Sequence, residues 1–240
     1  MTTIPIALEE PHRPQRRYGQ CSMTPSGTEV PRRLLHIAIA LIALVALLPL
    51  ALVIALAIKL SSPGPVFYTQ FRVGLNRRRL LPFGARYRET DRGGKPFRIF
   101  KFRTMRVTDG TPESGAQVWA TTDDTRITRV GRILRLYRLD ELPQLVNVLL
   151  GDMDIVGPRP EQPAIFARLR EEIPGYQERQ RVRPGITGWA QINLHYDSTI
   201  EDVRKKLAFD LEYISHRSLT EDLRIMLRTL PVVAGGFGGW

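Results

Sequence analysis

From Ile37 to Ile58 the chain reads IAIALIALVALLPLALVIALAI, 22 residues without a charge. At about 1.5 Å per residue a straight helix of that length would be about 33 Å long, enough to cross a hydrocarbon core of about 30 Å. Pro49 interrupts it near the middle, where it removes a helix hydrogen bond and kinks or breaks the helix. Each arm is then about 16 Å, close to half a core. Charge flanks both ends: Arg32 and Arg33 before, Lys59, Arg72, Arg77, Arg78 and Arg79 after. The positive-inside preference asks for both ends on the cytoplasmic side. A span cannot satisfy that, whereas a helix that enters, bends at Pro49 and returns can. Spanning helices also carry kinking prolines, so on these residues a span and a re-entrant hairpin both stay open.

Residues 1–30 are polar, proline-rich and carry Arg13, Arg16 and Arg17. The apolar stretch starts too deep and runs too long for a signal peptide, and it lacks a clear small-residue cleavage site. Residues 1–30 therefore read as a disordered cytoplasmic tail. The 240-residue chain has a formal net charge of +11 and a pI near 10.4. That balance points to an anionic partner: nucleic acid, an anionic membrane leaflet or a phosphorylated substrate. Cys21 is the only cysteine, which excludes an internal disulfide. His12, His36, His195 and His216 show no metal-ligand spacing.

Beyond the turn-forming SSPGP at Ser61 to Pro65, VFYTQFRV and KPFRIFKFRTMRV read as two strands. In the second, Phe97, Ile99, Lys101 and Arg103 share a face, with Phe100 and Phe102 opposite. The stretch between them is a basic loop, and Asp109 to Ala116 is another. Arg126 to Arg138, RITRVGRILRLYR, has the spacing of a basic amphipathic helix suited to an anionic leaflet. Ser198 with Glu201, and Ser218 with Glu221, have capping-box spacing before two further helices.

Asp140 and Glu141 stand side by side before the apolar stripe Leu142, Leu145, Val146 and Leu149, which stops at Gly151. A helix is expected to begin near Asp140, with Pro143 in its first turn. Free N–H groups at that end favour carboxylates and phosphates alike and would keep Asp140 ionised. Capping alone would account for Asp140, but it leaves Glu141 and Arg159 unexplained. Adjacent helical residues diverge by about 100°. The pair can thus divide its labour, one carboxylate as nucleophile and the other as metal ligand or base. GPRP fixes the backbone about Arg159 and suits it to a bidentate grip on phosphate. Lys101 and Arg103 could add charge to the same pocket.

Five segments carry a resemblance: SSPGPVFYTQFRVG, FRIFKFRTM, ITRVGRILRLYRLDELPQLVNVLLGDMDIVGPRPE, RVRPGITGWAQIN and FDLEYISHRSLTEDLRIMLRTL. In this order, from about Arg32 to Leu230, the chain closely resembles the bacterial sugar transferases, the monotopic phosphoglycosyl transferases. The resemblance implies an α+β, mostly helical fold. A re-entrant membrane hairpin broken at Pro49 (residues 31–60) would carry a cytoplasmic, membrane-surface catalytic domain with a small β-hairpin (61–232). A C-terminal tail would follow (233–240).

The implied reaction moves a sugar 1-phosphate from a UDP-sugar to a polyprenyl phosphate such as undecaprenyl phosphate in the bacterial inner membrane. UMP is released and assembly of an exopolysaccharide or other surface glycan begins. The family uses an Asp-Glu pair and Mg2+, which makes Asp140 the nucleophile and Glu141 its partner at the metal. Lys101, Arg103, Arg135 and Arg159 match its phosphate-binding positions. Asp210 in the D-x-x-Y helix and Arg183 are further candidates, and for Arg135 and Asp210 a structural ion pair is an equal alternative.

Two departures stand out. Leu48 replaces the serine that many members place before the membrane-helix proline, which leaves the bend angle open. Leu194, His195 and Tyr196 replace a glycine and basic residue, which leaves the donor open. The following text is similar to exopolysaccharide-type members and favours UDP-glucose or UDP-galactose. A homo-oligomer is neither required nor excluded. Two rivals are weaker. A conventional glycosyltransferase could use Asp152-Met153-Asp154 as a D-x-D metal site, but it needs an alternating strand-helix nucleotide fold that is not visible. A membrane-tethered nucleic-acid binder has no binding motif to support it, so no nucleic acid is expected.

Overall fold

The computed structural model describes residues 29–76, 93–106, 124–194 and 199–235. Most of the expected N-terminal tail, the basic loop, the Asp109 to Ala116 loop, His195 and Tyr196, and the last five residues lie outside them.

The apolar segment forms two helices, α1 (Glu29–Ala46) and α2 (Leu48–Ser61), bent by 60° at Leu47. The cause is local. Pro49 sits in the first turn of α2 and has no N–H for the carbonyl four residues earlier, at Val45. The backbone bonds on either side survive: Leu47 N–H donates to Ala43 at 2.9 Å and Ala51 N–H donates to Leu47 at 2.8 Å. Among the described residues no single helix is long and apolar enough to cross a membrane, and this bent pair has the length and composition only when taken together.

Both outer ends of the pair are held to the body of the protein, while the bend projects from it. The buried residues are Arg32, His36 and Ala40 in α1 and Ile54 and Ile58 in α2. Leu41, Ile42, Val45, Leu48, Leu52 and Val53, around the bend, are exposed. Arg32 and Arg33, which the sequence suggests as topology-setting charges, are spent inside. Arg32 donates to Asp222 at 2.5 and 2.9 Å and to the Tyr213 hydroxyl at 3.1 Å. Arg33 donates to the Met153 carbonyl and to Asp154 Oδ1, each at 2.7 Å. His36 Nε2 lies 2.9 Å from Asp222 Oδ2.

Strands β1 (Phe67–Val73) and β2 (Pro96–Phe102) pair antiparallel with Phe67 opposite Phe102, which is the expected small sheet with shorter strands. Thr128 caps α3 (Arg129–Leu136) by accepting the Gly131 N–H at 2.9 Å. Gly131 is required because a Cβ there would lie 2.0 Å from the Thr104 carbonyl oxygen. The expected helix through Arg138 ends early, at Leu136. Arg138 itself turns left-handed, at φ 53°, and is the only non-glycine residue with positive φ among those described.

Next come a 3-10 turn, Leu139–Glu141, and α4 (Gln144–Leu150), which stops at left-handed Gly151. Instead of one helix starting at Asp140, Pro143 separates the turn from α4. A second sheet was not foreseen: β3 (Asp154–Val156) pairs parallel with β4 (Gly185–Thr187). Helices α5 (Pro163–Glu172), α6 (Trp189–Asn193), α7 (Ile200–His216) and α8 (Leu219–Ala234) complete the fold. The α7 capping box falls one residue later than expected, on Thr199 and Asp202, and Ser218 caps α8 as expected.

The apolar pair packs on the body through two clusters. Ala40 joins Phe97, Ile99, Leu145, Val148 and Met153, so α1 lies on β2 and α4. Ile54 and Ile58 join Phe102 and Leu134, so α2 lies on β2 and α3. The turn carrying Asp140 and Glu141 is thereby held beside the base of the apolar pair, between α3 and α4.

Candidate active site

Lys101 and Glu141 are brought together by a side chain that imitates a strand. Asn147, fully buried in α4, donates to the Arg98 carbonyl at 2.7 Å and accepts the Phe100 N–H at 3.0 Å. These are the outward-facing backbone groups of β2, which β1 cannot satisfy from the other side. The amide docks α4 against β2 in one register, and Lys101 then faces the turn before α4.

The site centres on two carboxylates, Asp140 at 8% exposure and Glu141 at 6%. Lys101 Nζ lies 2.8 Å from Glu141 Oε1 and 3.5 Å from Asp140 Oδ2. Arg159 grips Glu141 with both terminal nitrogens, Nη1 at 3.1 Å from Oε2 and Nη2 on Oε1. Arg135 donates its Nε to Thr104 Oγ1 at 3.0 Å, and its charge also acts on Asp140. The carboxylate of Asp140 accepts no hydrogen bond among the described residues. It is not a helix cap, contrary to the simplest expectation for it.

The two acids are pushed in opposite directions. Burial opposes ionisation of Glu141, but Arg159 and Lys101 together outweigh it and hold its carboxyl well below the usual glutamate range. Burial raises Asp140 above the usual aspartate value; Lys101 opposes the rise and Glu141 adds to it. The expectation of a helix end keeping Asp140 ionised is thus corrected: burial and Glu141 act against its charge, and Lys101, Arg159 and Arg135 only partly offset them. Glu141 raises the Arg159 pKa in return. A fixed, ionised Glu141 beside a carboxylate that accepts no hydrogen bond among the described residues suits nucleophilic attack by Asp140.

Arg159 is set by its backbone. The Val73 N–H donates to the Glu161 carbonyl at 2.8 Å and the Gly185 N–H to the Pro158 carbonyl at 3.0 Å. Arg179, 2% exposed, donates to the Arg159 carbonyl at 3.0 Å and to Asp210 Oδ2 at 2.7 Å. Asp210 is therefore not beside the pair but anchors the arginine that holds the Arg159 loop. Sequence reasoning missed Arg179 and Asn147; each acts on backbone remote in the chain, and no local motif marks them.

Two other candidates lie elsewhere. Arg103 donates to the Pro63 and Ser62 carbonyls at 2.5 and 2.7 Å, clasping the end of α2 to the end of β2. Arg183 donates to the Gly151 carbonyl at 3.2 Å. In the D-x-D stretch, Met153 is fully buried, Asp154 is tied to Arg33, and Asp152 lies 3.5 Å from Lys95. The two aspartates are thus engaged with different cations. Among the described residues no group of three or more His, Cys, Asp and Glu side chains is placed to hold a metal ion. What remains for a cation is Asp140 and the Oε2 atom of Glu141, which has one hydrogen-bond donor on it.

A family model described as bacterial sugar transferase matches residues 27–236. The chain belongs to the bacterial sugar transferase family. Relatives include a UDP-glucose:undecaprenyl-phosphate glucose-1-phosphate transferase of Xanthomonas campestris pv. campestris, 44% identical over 82% of this chain and 37% of its own length. A UDP-N-acetylgalactosamine-undecaprenyl-phosphate N-acetylgalactosaminephosphotransferase of Aeromonas hydrophila is 42% identical over 86% of this chain and 44% of its own length. An exopolysaccharide production protein PSS of Rhizobium leguminosarum bv. phaseoli is 40% identical over 83% of this chain and 92% of its own. The chain thus spans less than half the length of the first two family members and nearly all of the third.

Proposed function

We propose that this protein transfers a sugar 1-phosphate from a UDP-sugar to polyprenyl phosphate, with Asp140 as the nucleophile, and so initiates a surface glycan. The observation that carries this reading is the asymmetry of the acid pair: Glu141 is gripped by Arg159 and Lys101, while the Asp140 carboxylate accepts no hydrogen bond among the described residues. An Asp140 oxygen attacks the phosphorus that bears the sugar. The bond from that phosphorus to the bridging oxygen breaks, and its electron pair leaves with UMP. An oxygen of polyprenyl phosphate then attacks the same phosphorus and the acyl-phosphate bond breaks, returning the carboxylate. Both nucleophiles and both leaving groups are anions, so neither step needs a proton transfer.

Arg159 and Lys101 keep Glu141 ionised and fixed, and with Arg135 they offset the charge that gathers as carboxylate and diphosphate meet. Magnesium fits the remaining donor set, because it binds through one or two carboxylates and takes its other ligands from phosphates and water. Asp140 and Glu141 would hold it, and when bound it neutralises diphosphate charge. The bent apolar pair suits a protein that dips into the cytoplasmic leaflet of the bacterial inner membrane, where the lipid phosphate lies. Both of its ends are held by the body and its bend is covered with exposed leucine, isoleucine and valine.

The relatives' names differ in the sugar, so the donor is assigned only to the class of UDP-hexoses and UDP-N-acetylhexosamines, with UDP-glucose and UDP-galactose first. The test is nucleotide release from purified protein given polyprenyl phosphate, magnesium and a panel of UDP-sugars. UMP is expected. Release of UDP would replace this reading with sugar transfer by a conventional glycosyltransferase.

A further inference from the structure

Four cationic side chains surround the acid pair, and they differ in how much of their hydrogen-bonding capacity is spent. Lys101 and Arg159 are committed to Glu141. Arg135 has given its Nε to Thr104. Arg138 has given nothing: among the described residues its closest carboxylate oxygen is Glu141 Oε2 at 4.0 Å, beyond hydrogen-bond distance. Its side chain is 27% exposed, so the guanidinium is partly shielded from water, and its long ion pair with Glu141 leaves its N–H groups without a hydrogen bond among the described residues. Burial and the neighbouring Arg159 act against its charge, and Glu141 and Asp140 act for it. Five N–H donors held in such a place, beside a second arginine and with no hydrogen-bond acceptor among the described residues, are poised for an anion.

The backbone strengthens the case. Arg138 occupies the left-handed conformation that ends α3 and swings the chain into the turn carrying Asp140. Glycine adopts that conformation without steric cost. The chain instead places there a long cationic side chain that makes no hydrogen bond of its own among the described residues.

We propose that Arg138 is a substrate-phosphate ligand of the transfer site, closing on a non-bridging phosphate oxygen beside Asp140. Lys101 and Arg159 would then serve chiefly to hold Glu141, while Arg135 and Arg138 offer unspent donors to the substrate. This rests on the phosphoryl-transfer reading above. The ligand chemistry is a phosphate oxygen, supplied by the diphosphate of the donor or by the polyprenyl phosphate.

The left-handed backbone makes the test clean, because Arg138→Gly removes the guanidinium while keeping the turn. Thermal unfolding of this variant is expected at or above that of the parent. Its kcat/KM should fall by about 10- to 150-fold, the worth of one charge-assisted hydrogen bond. Free guanidinium ion should restore part of the loss in the variant and none in the parent, and Arg138→Lys should lose less than Arg138→Gly. A loss seen when UDP-sugar is varied assigns the contact to the donor diphosphate; a loss only when polyprenyl phosphate is varied assigns it to the lipid. A fully folded Arg138→Gly variant with kcat/KM within about 2-fold of the parent, set against the 10-fold lower bound, overturns the proposal. So does lost activity with lowered unfolding temperature and no guanidinium rescue, which marks a structural role. UDP binding to parent and variant is measured in parallel. If the parent turns over no donor yet the variant binds UDP more weakly, the transfer reading fails and the Arg138 contact stands.

Discussion

Replacing Asn147 with alanine should separate the scaffold of the site from its chemistry. The side chain is fully buried and makes two hydrogen bonds to the outer edge of β2, to the Arg98 carbonyl at 2.7 Å and from the Phe100 N–H at 3.0 Å. Alanine leaves one donor and one acceptor buried without partners. Each such group costs about 1–3 kcal/mol, so the loss should be about 4 kcal/mol in all. For a chain of this size about 1 kcal/mol shifts Tm by roughly 2–4 °C, which puts the expected fall at about 8–16 °C, read by thermal unfolding in detergent. Activity at a temperature where the variant remains folded should also drop, because β2 then no longer holds Lys101 against Glu141. Asn147→Asp should be no better: it keeps an acceptor for Phe100 but turns a second one toward the Arg98 carbonyl. A Tm fall of less than about 2 °C, well under one buried unpaired group, together with unchanged turnover, would refute the view that this amide sets the register of α4 on β2.

Four further outcomes follow from the charges and the bend. Asp140→Asn should be inactive yet more stable than the parent at neutral pH. The folded-state pKa of Asp140 is raised, so its contribution to stability is present below the ordinary aspartate value and is lost as pH rises through the raised one. For the same reason, parent activity should fall as pH drops through that raised value, and a pH–rate profile would read it. Glu161 behaves in the opposite sense. Burial alone would raise its carboxyl, but Lys206, Arg179 and Arg72 together hold it down to about 2. Its stabilisation is therefore complete above the ordinary glutamate value and fades as pH falls toward about 2. Glu161→Gln should cost about 3 kcal/mol at neutral pH and progressively less in acid, as unfolding across pH would show. Pro49→Ala should let residue 49 donate to the Val45 carbonyl and straighten the apolar pair. Labelling of cysteines placed at either end, from outside intact cells, should then reach one end of the segment, whereas in the parent neither end should react.

What could be read from the sequence was what depends on neighbouring residues. Pro49 breaks its helix by lacking an N–H, Gly151 stops α4 by taking positive φ, and Ser218 caps α8. Each effect acts within one or two turns. The acid pair stood out because two carboxylates beside an apolar helix need a reason, and GPRP announced a fixed arginine. Residues that act across the chain were harder to read. Asn147 meets β2 47 positions away, and Arg179 meets Asp210 31 positions away; neither carries a local signature. Arg103 shares the basic segment with Lys101 but lies one residue past the end of β2, where it clasps the end of α2 instead of facing the acids. Arg32 was legible as a charge but not as a partner for Asp222, which comes from the other end of the fold.

The central claim is that a phosphosugar becomes attached to Asp140 itself. Its most direct measurement is mass spectrometry of the enzyme after incubation with UDP-sugar and magnesium, with polyprenyl phosphate withheld. A sugar-phosphate adduct that maps to Asp140 and disappears when the lipid phosphate is added is expected. An adduct on another residue, or sustained UMP release in which no adduct ever forms, would contradict it.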